Sequence, residues 1–489
     1  MSEVKKFTFD VGWVFGSSII TLILAFPINI IIGRLLGAEG LGLYAMTMVI
    51  YGIAMLFFGF GINAAVVKFV AEHKGDRDKL NQVITNGLLN SFILGFFGII
   101  ILYSLSSNIA NIFNMQELEG LIKLISFVIP FAIINQLNLG VLNGLRIMRS
   151  YSMVIITQSV LMLVSVILLI YLGFGIKGAI LGVLFSVFFA FLLSLFFAKK
   201  FFNFDFNNYM ENTKKLLTFG FPLLSANILN LTNARIDVLL LGYFLTEREI
   251  GVYAIATMFL QLMLMIPMAI QKITYPAISY YYGKKNHNAI ESMINKCIKY
   301  TLIFLLIGGV VLAFLSGDII RLLFPHRPEF LEGILPLIIL LFMAVFRGPT
   351  ASVGASFTSV GKPEIPLKIE TITVLTAVIS GIVLIPLFGI VGAASTVAIS
   401  KLMPLSIYPY LMKRYVGVRI QMRLYGKIIF IGCAISLFIL LFKNIINNYI
   451  LAIIASVLYL ILLYLTKVIT KEDKAMVQKI LPRRINKII

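Results

Sequence analysis

The sequence predicts an all-α polytopic membrane protein built from two parallel six-helix repeats and two further helices. Composition, apolar runs of helical length and an internal repeat support this fold class. Of the 489 residues, 60% are hydrophobic and only 13% are charged, whereas a soluble domain averages about 45–50% apolar and about 25% charged residues. A soluble core cannot bury this much apolar surface. The composition therefore excludes a soluble enzyme, a secreted disulfide-stabilised domain and a nucleic-acid-binding domain.

The apolar runs predict about fourteen transmembrane helices, because about 20 apolar residues are needed to cross a bilayer as a helix. The predicted spans are 9–33, 42–67, 84–106, 120–144, 150–172, 175–198, 216–244, 250–276, 293–315, 333–358, 365–388, 389–412, 424–443 and 447–467. The connections between them are short, with tight hairpins expected at 173–175 and 387–389, so the sequence leaves no room for a folded extramembrane domain.

The positive charge is explained by membrane orientation. The chain carries 41 Lys and Arg against 21 Asp and Glu, a net charge of +20. With the N-terminus inside, most basic residues fall in cytoplasmic segments, as the positive-inside rule requires. The basic residues of the outer segments are Arg34, Lys123, Lys177, Arg248, Arg321, Arg327 and Lys443. The sequence thus predicts a multi-pass protein of the cell membrane with both termini in the cytoplasm.

An internal repeat divides the chain. Residues 33–45 align with residues 242–254, so that Gly42 matches Gly251 and Tyr44 matches Tyr253. Later, Gly-Ile-Lys-Gly-Ala at 175–179 aligns with Gly-Ile-Val-Gly-Ala at 389–393. Two ordered matches at nearly equal displacement predict lobes at 1–210 and 211–420, followed by two helices and a basic tail at 421–489.

The repeat also predicts a mechanism. Each lobe has an even number of spans, so both lobes enter the membrane from the same side and run parallel. Two such lobes leave a cavity between them, and rocking of the lobes gives alternating access. The glycine-rich stretches 33–42 and 242–251 are interpreted as tight turns, which glycine permits.

Four ionisable residues are predicted to lie at mid-bilayer: Arg235, Asp237, Arg347 and Lys401. Charges at mid-bilayer cost about 2.5–3.5 kcal/mol each on insertion scales, so they usually face a cavity or a partner. Three cations against one carboxylate favour an anionic substrate group, with Arg235, Arg347 and Lys401 as candidate contacts. Asp237 is a candidate ion-coupling residue; alternatively, it pairs with one of the cations and ties helices together.

Asparagines form polar patches in two spans. In span 7, Asn227, Asn230 and Asn233 fall with Asp237 on one stripe at 100° per residue. In span 4, a patch that includes Asn135 and Asn138 is the candidate for the facing wall of the cavity. Asn230, Asn233, Asn135 and Asn138 are therefore predicted substrate contacts; alternatively, such amides only form hydrogen bonds between helices.

The sequence predicts neither a catalytic site nor a cofactor. Cys297 and Cys433 lie far apart in apolar stretches, and the three histidines fall in separate loops, so neither type forms a metal-ligand cluster. There is no glycine-rich phosphate-binding loop. Transport therefore requires an ion gradient, with Na⁺ or H⁺ as the candidate coupling ion, a substrate gradient or a partner protein.

These motifs resemble those of a known family. Arg-Leu-Leu-Gly-Ala-Glu-Gly-Leu-Gly-Leu-Tyr-Ala at 34–45, Phe-Gly-Ile-Asn-Ala-Ala at 60–65 and the repeat at 389–394 are similar to those of Wzx-type polysaccharide flippases. These flippases belong to the multidrug/oligosaccharidyl-lipid/polysaccharide (MOP, MATE-like) exporter superfamily. The resemblance implies a V-shaped two-lobe transporter. It would move a polyprenyl-diphosphate-linked oligosaccharide from the cytoplasmic to the outer leaflet, beside membrane lipids and the polysaccharide-assembly machinery.

Other functions predict different features. An ion-coupled drug or cation antiporter of the same fold favours acidic groups in the cavity, whereas this cavity is predicted to be positive. A membrane-bound polymerase or ligase needs a long outer loop with catalytic residues, and the outer loops here are short. A passive scaffold or scramblase predicts that neutralising the charges inside the membrane changes little.

Overall fold

The computed structural model describes residues 3–470 and residue 473, with the side chains of residues 3–8, 11, 272 and 273 outside that description. The described residues are almost entirely α-helical and contain no strand. Apart from Asp473, the basic tail predicted beyond residue 470 lies outside the described residues, as does the side chain of Lys272.

The fourteen α-helices described in this part of the chain follow the predicted spans closely. They are α1 (Glu3–Gly59), α2 (Ile62–Glu72), α3 (Arg77–Ile112), α4 (Gln116–Ser126), α5 (Ile129–Gly144), α6 (Met148–Leu169), α7 (Gly175–Ala198), α8 (Tyr209–Phe244), α9 (Glu247–Gly283), α10 (His287–Leu323), α11 (Ile334–Ser359), α12 (Glu364–Val416), α13 (Met422–Phe442) and α14 (Asn448–Leu465). Helices and spans do not correspond one to one. Helix α12 covers two predicted spans, and α4 with α5 covers one. Helix α1 covers the first span and most of the second, which ends in α2.

Glycines break the longest helices where the sequence places span boundaries. Gly37 in α1 has φ 74° and Gly389 in α12 has φ 56°, values that residues with a side chain rarely adopt. A Cβ atom on Gly392 would overlap the carbonyl oxygen of Leu384. Eight residues span about 12 Å in a continuous helix, so the chain reverses at Gly389 as predicted.

A second reversal joins α6 to α7. Gly173 and Gly175 have φ values of 89° and 56°. A Cβ atom on Gly182 would lie 2.7 Å from the backbone nitrogen of Val166. The two helices therefore pack backbone against backbone, and the tight hairpin expected at 173–175 is present.

Nine helical segments within the described residues are long and apolar enough to cross a membrane, or ten if α4 and α5, which are bent by 46°, form one span. Several of these segments include the glycine breaks, so the count of fourteen crossings stays a prediction. Among the described helices, α8 falls outside this set. Its asparagines and charged residues lower its hydropathy, which makes it unlike its neighbours.

The chain divides into two compact units. The first unit contains Met1–Met258, Leu323–Gly333 and Glu370–Thr396; the second contains Phe259–Leu322, Ile334–Ile369 and Val397–Ile489. The boundaries of these units differ from those of the repeat, and the lobes predicted at 1–210 and 211–420 stay a prediction.

Each unit contains buried side chains that contact one another, an apolar cluster in the first unit and an ion pair in the second. In the first, apolar side chains of α2, α3, α5 and the start of α8 form a core that includes Val66, Ile84 and Leu137. In the second, Lys299 Nζ lies 2.7 Å from Asp473 Oδ2. Burial raises the pKa of Asp473, but hydrogen bonds from Lys299, Tyr300 and Thr470 outweigh burial and hold this pKa well below its ordinary value.

Candidate functional site on helix α8

The first unit places repeat-related glycines against each other. A Cβ atom on Gly42 would overlap the carbonyl oxygen of Glu247, and one on Gly251 would overlap that of Ala38. Gly42 and Gly251 are equivalent in the repeat, and so are Ala38 and Glu247. The contact is therefore symmetric, as expected where two equivalent helices cross about a local two-fold axis.

The turn interpretation of these glycines consequently needs a correction. Of the glycines in the stretches 33–42 and 242–251, only Gly37 has a positive φ within the described residues. Gly42 and Gly251 lie in helices and serve instead to let two backbones approach. The sequence repeat could have indicated this role, because a close contact on a two-fold axis constrains both copies equally.

Two arginines link the segment of α1 before Gly37 to the C-terminal end of α10 through hydrogen bonds. Arg34 Nε donates to the carbonyl oxygen of Leu323 at the end of α10. In return, Arg327 Nε and Nη2 donate to the carbonyl oxygens of Arg34 and Leu35, at 3.3 and 3.2 Å. Each arginine thus satisfies carbonyl groups at a helix C-terminus, which otherwise lack partners. The sequence predicts that this end of the unit faces outward.

A polar cavity of about 490 Å³ lies beside this contact. Its lining includes Glu39, Arg327, Glu329 and the ion pair between Arg248 and Glu332, whose Nη2 and Oε1 atoms lie 2.6 Å apart. Both members of the pair are largely exposed, so the pair contributes little to stability.

Helix α8 carries the predicted polar stripe. Asn227 and Asn230 are exposed, whereas Asn233 is half-buried. Asn233 Nδ2 donates to Glu370 Oε2 on α12. Hydrocarbon satisfies no hydrogen bond, so we expect these exposed amides to face water rather than lipid. This stripe is the candidate functional site.

Glu370 is missing from the sequence-based set of charges. It lies within the predicted span 365–388 and is half-buried, so it adds a carboxylate to the charges considered for the site. Its position within a predicted span could have indicated from the sequence that Glu370 belongs among the candidate residues. Its pairing with Asn233 required the structure, because the two residues are 137 positions apart.

Asp237 lies at the buried end of the stripe, 8% exposed. Its Oδ2 atom accepts a hydrogen bond from the Tyr253 hydroxyl at 2.8 Å, and its Oδ1 atom accepts from the backbone N–H of Val238 at 2.9 Å. The partner of Asp237 among the described side chains is therefore a tyrosine, not a cation as one alternative supposed. Its predicted role in ion coupling stays a prediction.

The three predicted cations lie in different structural environments. Arg235 is half-buried in the first unit, and the described part of the chain shows no ion pair or hydrogen bond of its side chain. Arg347 on α11 is half-buried and Lys401 on α12 is 9% exposed, both in the second unit. Both have interaction partners. The structure therefore places only Arg235 on the helix of the polar stripe.

Asn135 and Asn138 of α5 are buried, at 4% and 0% exposure. Asn138 Nδ2 donates to Ser194 Oγ of α7 at 3.0 Å, and Asn135 Nδ2 lies 3.4 Å from Gln158 Oε1 of α6. Both amides thus bridge helices of the first unit, as one alternative for them proposed. Their role as substrate contacts stays a prediction.

The second unit contains an apolar groove of about 370 Å³ between α10, α11 and α13. Leu306, Phe342 and Leu440 are among the side chains that line it. Phe342 is 60% exposed, so the groove is open at the surface of the unit. Its lining is suited to a hydrocarbon chain.

Long apolar helices, with a polar stripe on α8, define a multi-pass membrane protein. The chain belongs to the polysaccharide biosynthesis protein family, whose model matches residues 7–282. The MatE family model matches residues 222–383. These matches confirm the family predicted from the sequence.

Relatives cover most of the chain at low identity. The capsular polysaccharide biosynthesis protein CapF of Staphylococcus aureus is 23% identical over 84% of this chain and 99% of its own length. A putative O-antigen transporter of Shigella flexneri is 24% identical over 65% of this chain and 78% of its own. The lipid II flippase MurJ, in an inward closed conformation, has a TM-score of 0.78 at 19% identity, covering 93% of this chain and 98% of that one. This likeness confirms the predicted fold class.

Proposed function

We propose that this protein is a flippase that moves a polyprenyl-diphosphate-linked oligosaccharide from the cytoplasmic to the outer leaflet. The observation that carries the proposal is the exposed polar stripe of Asn227 and Asn230 on α8, in a chain of the polysaccharide biosynthesis protein family. A glycan needs a polar path across the bilayer, because its hydroxyl groups cannot enter hydrocarbon without partners. The names of the Shigella and MurJ relatives, a transporter and a flippase, support the same function.

The lipid end of the substrate has different requirements. Its hydrocarbon chain can remain in the bilayer or enter the apolar groove lined by Leu306 and Phe342. Its diphosphate requires cations, for which Arg235, Arg347 and Lys401 are the candidates. Basic side chains recognise phosphate through short charge-assisted hydrogen bonds.

The cycle proceeds by alternating access of the two predicted lobes. The crossing of Gly42 with Gly251 and the contacts of Arg34 with Arg327 close the end predicted to face outward. Asp237 is the candidate coupling residue, with Na⁺ or H⁺ as the ion. The protein lies in the cell membrane with both termini in the cytoplasm, next to the polysaccharide-assembly machinery.

Reconstitution tests the function. The full chain in liposomes receives a fluorescent polyprenyl diphosphate oligosaccharide, and a membrane-impermeant quencher reports which leaflet holds the probe. We expect faster transfer than in empty liposomes. Arg347→Ala or Lys401→Ala should slow transfer by at least about tenfold, the ratio that corresponds to one charge-assisted hydrogen bond. Lys443→Ala, which removes an exposed cation of the same unit, should leave it unchanged.

The MatE match supports a second function, ion-coupled export of a drug or cation. It predicts that the folded wild type transfers no glycolipid, with or without Na⁺ or proton gradients, and instead exports a cationic dye under one of them. That pair of results would replace the flippase proposal. Thermal unfolding of each preparation establishes that the protein is folded.

A further inference from the structure

We propose that the linker segment, residues 199–215, binds anionic phospholipid headgroups at the cytoplasmic surface of the membrane. The segment joins α7 to α8 within the first unit, and the sequence predicts that it faces the cytoplasm. Its exposed surface combines three apolar side chains with three lysines: Phe204, Phe206 and Met210 with Lys199, Lys200 and Lys214. The proposal goes beyond the proposed function, because it concerns the lipids of the bilayer and not the transported substrate.

Hydrogen bonds to α3 fix the middle of the linker segment. Gln82 Nε2 donates to Asp205 Oδ2 at 3.0 Å, and the backbone N–H of Asp205 donates to Thr85 Oγ1 at 3.1 Å. The start of α8 is also held against α3, since the Tyr209 hydroxyl donates to Asn90 Oδ1 at 2.8 Å. The segment therefore has one side that contacts the protein and another that faces away from it.

This attachment turns two aromatic rings outward. Residues 202–206 are not helical, and consecutive side chains of an extended segment point to opposite sides. With Asp205 held toward α3, Phe204 and Phe206 lie on the other side and are 65% and 60% exposed. Their ring centroids are 6.5 Å apart and their planes differ by 10°. The two phenylalanines therefore form one apolar surface that the described part of the protein leaves open.

Lysines lie on both sides of these rings in the sequence. Lys199 and Lys200 precede them. Lys214 follows on α8, four residues after the exposed Met210, so the two side chains share a face of the helix. Within the described residues none of these three lysines forms an ion pair. The segment carries four lysines against two acidic residues, one of which pairs with the fourth lysine, so a positive charge is available to an anion.

The position of the segment along the chain favours a bilayer as the partner. Helix α7 belongs to the stretch Met148–Phe201, which is long and apolar enough to cross a membrane. The linker segment begins at the end of this helix, so we expect it at the level of the headgroups. Lys199 Nζ lies 4.9 Å from the ring centroid of Phe196, which is 59% exposed. Lysines beside exposed aromatic rings match an anionic headgroup above acyl chains.

Fluorescence quenching of the full chain in liposomes tests the proposal. Trp13→Phe removes the single tryptophan of the sequence, and Phe204→Trp then places one reporter in the linker segment. Phosphatidylcholine liposomes receive the same small fraction of a lipid brominated in its upper acyl chains, either phosphatidylglycerol or phosphatidylcholine. We expect the reporter to prefer brominated phosphatidylglycerol by at least about fivefold, the ratio that corresponds to one lysine near an anionic surface.

Variants assign this preference to the lysines. The triple variant Lys199→Gln, Lys200→Gln and Lys214→Gln should reduce the preference to within about twofold, and 1 M salt should reduce it as well, because screening then acts within about 3 Å. Lys443→Gln removes an exposed cation of the second unit and should leave the preference unchanged. Phe189→Trp is the matched reporter. Phe189 is 47% exposed in the middle of α7, so both brominated lipids should quench this reporter equally.

Three results would overturn the proposal. Equal quenching of Phe204→Trp by both brominated lipids would mean contact with the bilayer without recognition of charge. A preference that persists in the triple lysine variant would remove the lysines from the site. Quenching by aqueous acrylamide, but by neither brominated lipid, would place the ring in water, as expected if another protein covers the segment in the cell.

Two further measures keep the test decisive. Phe206→Trp provides a second reporter on the same surface if Phe204→Trp does not fold, and thermal unfolding of each variant establishes which ones are folded. Because no glycolipid is present in these liposomes, the outcome does not depend on whether the protein is a flippase. Failure of glycolipid transfer would reject the proposed function and leave the lipid site in place.

Discussion

Helices α5 and α8 both carry asparagines, which are buried on α5 and exposed on α8. On α5, Asn135 and Asn138 are buried at 4% and 0% exposure. On α8, Asn227 and Asn230 are exposed. The first pair forms hydrogen bonds between helices, and the second pair is open at the surface of the first unit. An asparagine in an apolar helix therefore indicates a polar environment without indicating whether that environment is protein or solvent.

The energetic consequences differ as well. A buried amide must find its partners within the protein, and leaving one group unsatisfied costs about 1–3 kcal/mol. Asn138 donates to Ser194, but its carbonyl oxygen lacks a hydrogen-bond partner in the part of the chain that the structure describes. An exposed amide exchanges its partners with water and its substitution costs little stability. Substitutions on the two helices should therefore change different observables.

The largest expected effect is that of Asn138→Asp. This substitution buries an ionisable group, and the hydrogen-bond partner described for residue 138 is Ser194 rather than a cation, so we expect the free energy of unfolding to fall by about 3–5 kcal/mol. Thermal unfolding in detergent measures the change. The matched variant Asn230→Asp lies on the exposed stripe and should stay within about 0.5 kcal/mol of the wild type. Equal destabilisation by both variants would contradict the comparison.

Much of the fold could be predicted from the sequence because bilayer thickness fixes helix length. Helices occur at the predicted spans, and the chain reverses at 173–175 and at Gly389 as expected. The repeat alignment also anticipated equivalent positions for Gly42 and Gly251. Their backbone contact was missed, because a glycine that permits a turn and one that permits close packing are identical in sequence.

The site was harder to predict. Helical periodicity places Asn227, Asn230 and Asp237 on one stripe, but it gives angles about one axis only and not the identity of the facing helix. Contacts between distant segments were therefore missed: Tyr253 against Asp237 and Glu370 against Asn233. For the same reason the sequence could not separate the buried amides of α5 from the exposed amides of α8.

The next largest effect on stability is expected at Asp237, the buried end of the polar stripe on α8. Tyr253→Phe removes the hydroxyl that donates to Asp237, and a hydrogen bond to a charged group is worth about 1.5–3 kcal/mol. Thermal unfolding should register most of that loss. Tyr44 is the equivalent residue of the first repeat and is also buried, but the described residues show no hydrogen bond of its hydroxyl. Tyr44→Phe should therefore be nearly neutral, and an equal loss in both variants would argue against a special role for the Asp237 contact.

The exposed stripe should affect transport and leave stability unchanged. Asn230→Ala removes an amide that is a predicted substrate contact, and we expect transfer of the glycolipid probe to slow by about tenfold, the ratio given by one hydrogen bond of about 1.4 kcal/mol. The unfolding midpoint should not move, because the side chain is exposed. A lower midpoint with an unchanged transfer rate would place Asn230 among the structural residues.

The smallest expected effect on transport belongs to Asn135→Ala on α5. Asn135 is buried, and its amide faces Gln158 of α6 at the long distance of 3.4 Å. Its removal should therefore cost about 1 kcal/mol of stability or less and leave the transfer rate per folded molecule unchanged. The same liposome assay, normalised to folded protein, compares it with Asn230→Ala. A tenfold slower transfer in Asn135→Ala would mean that α5 opens to the substrate path during the cycle, and that the asparagines of both helices line one cavity.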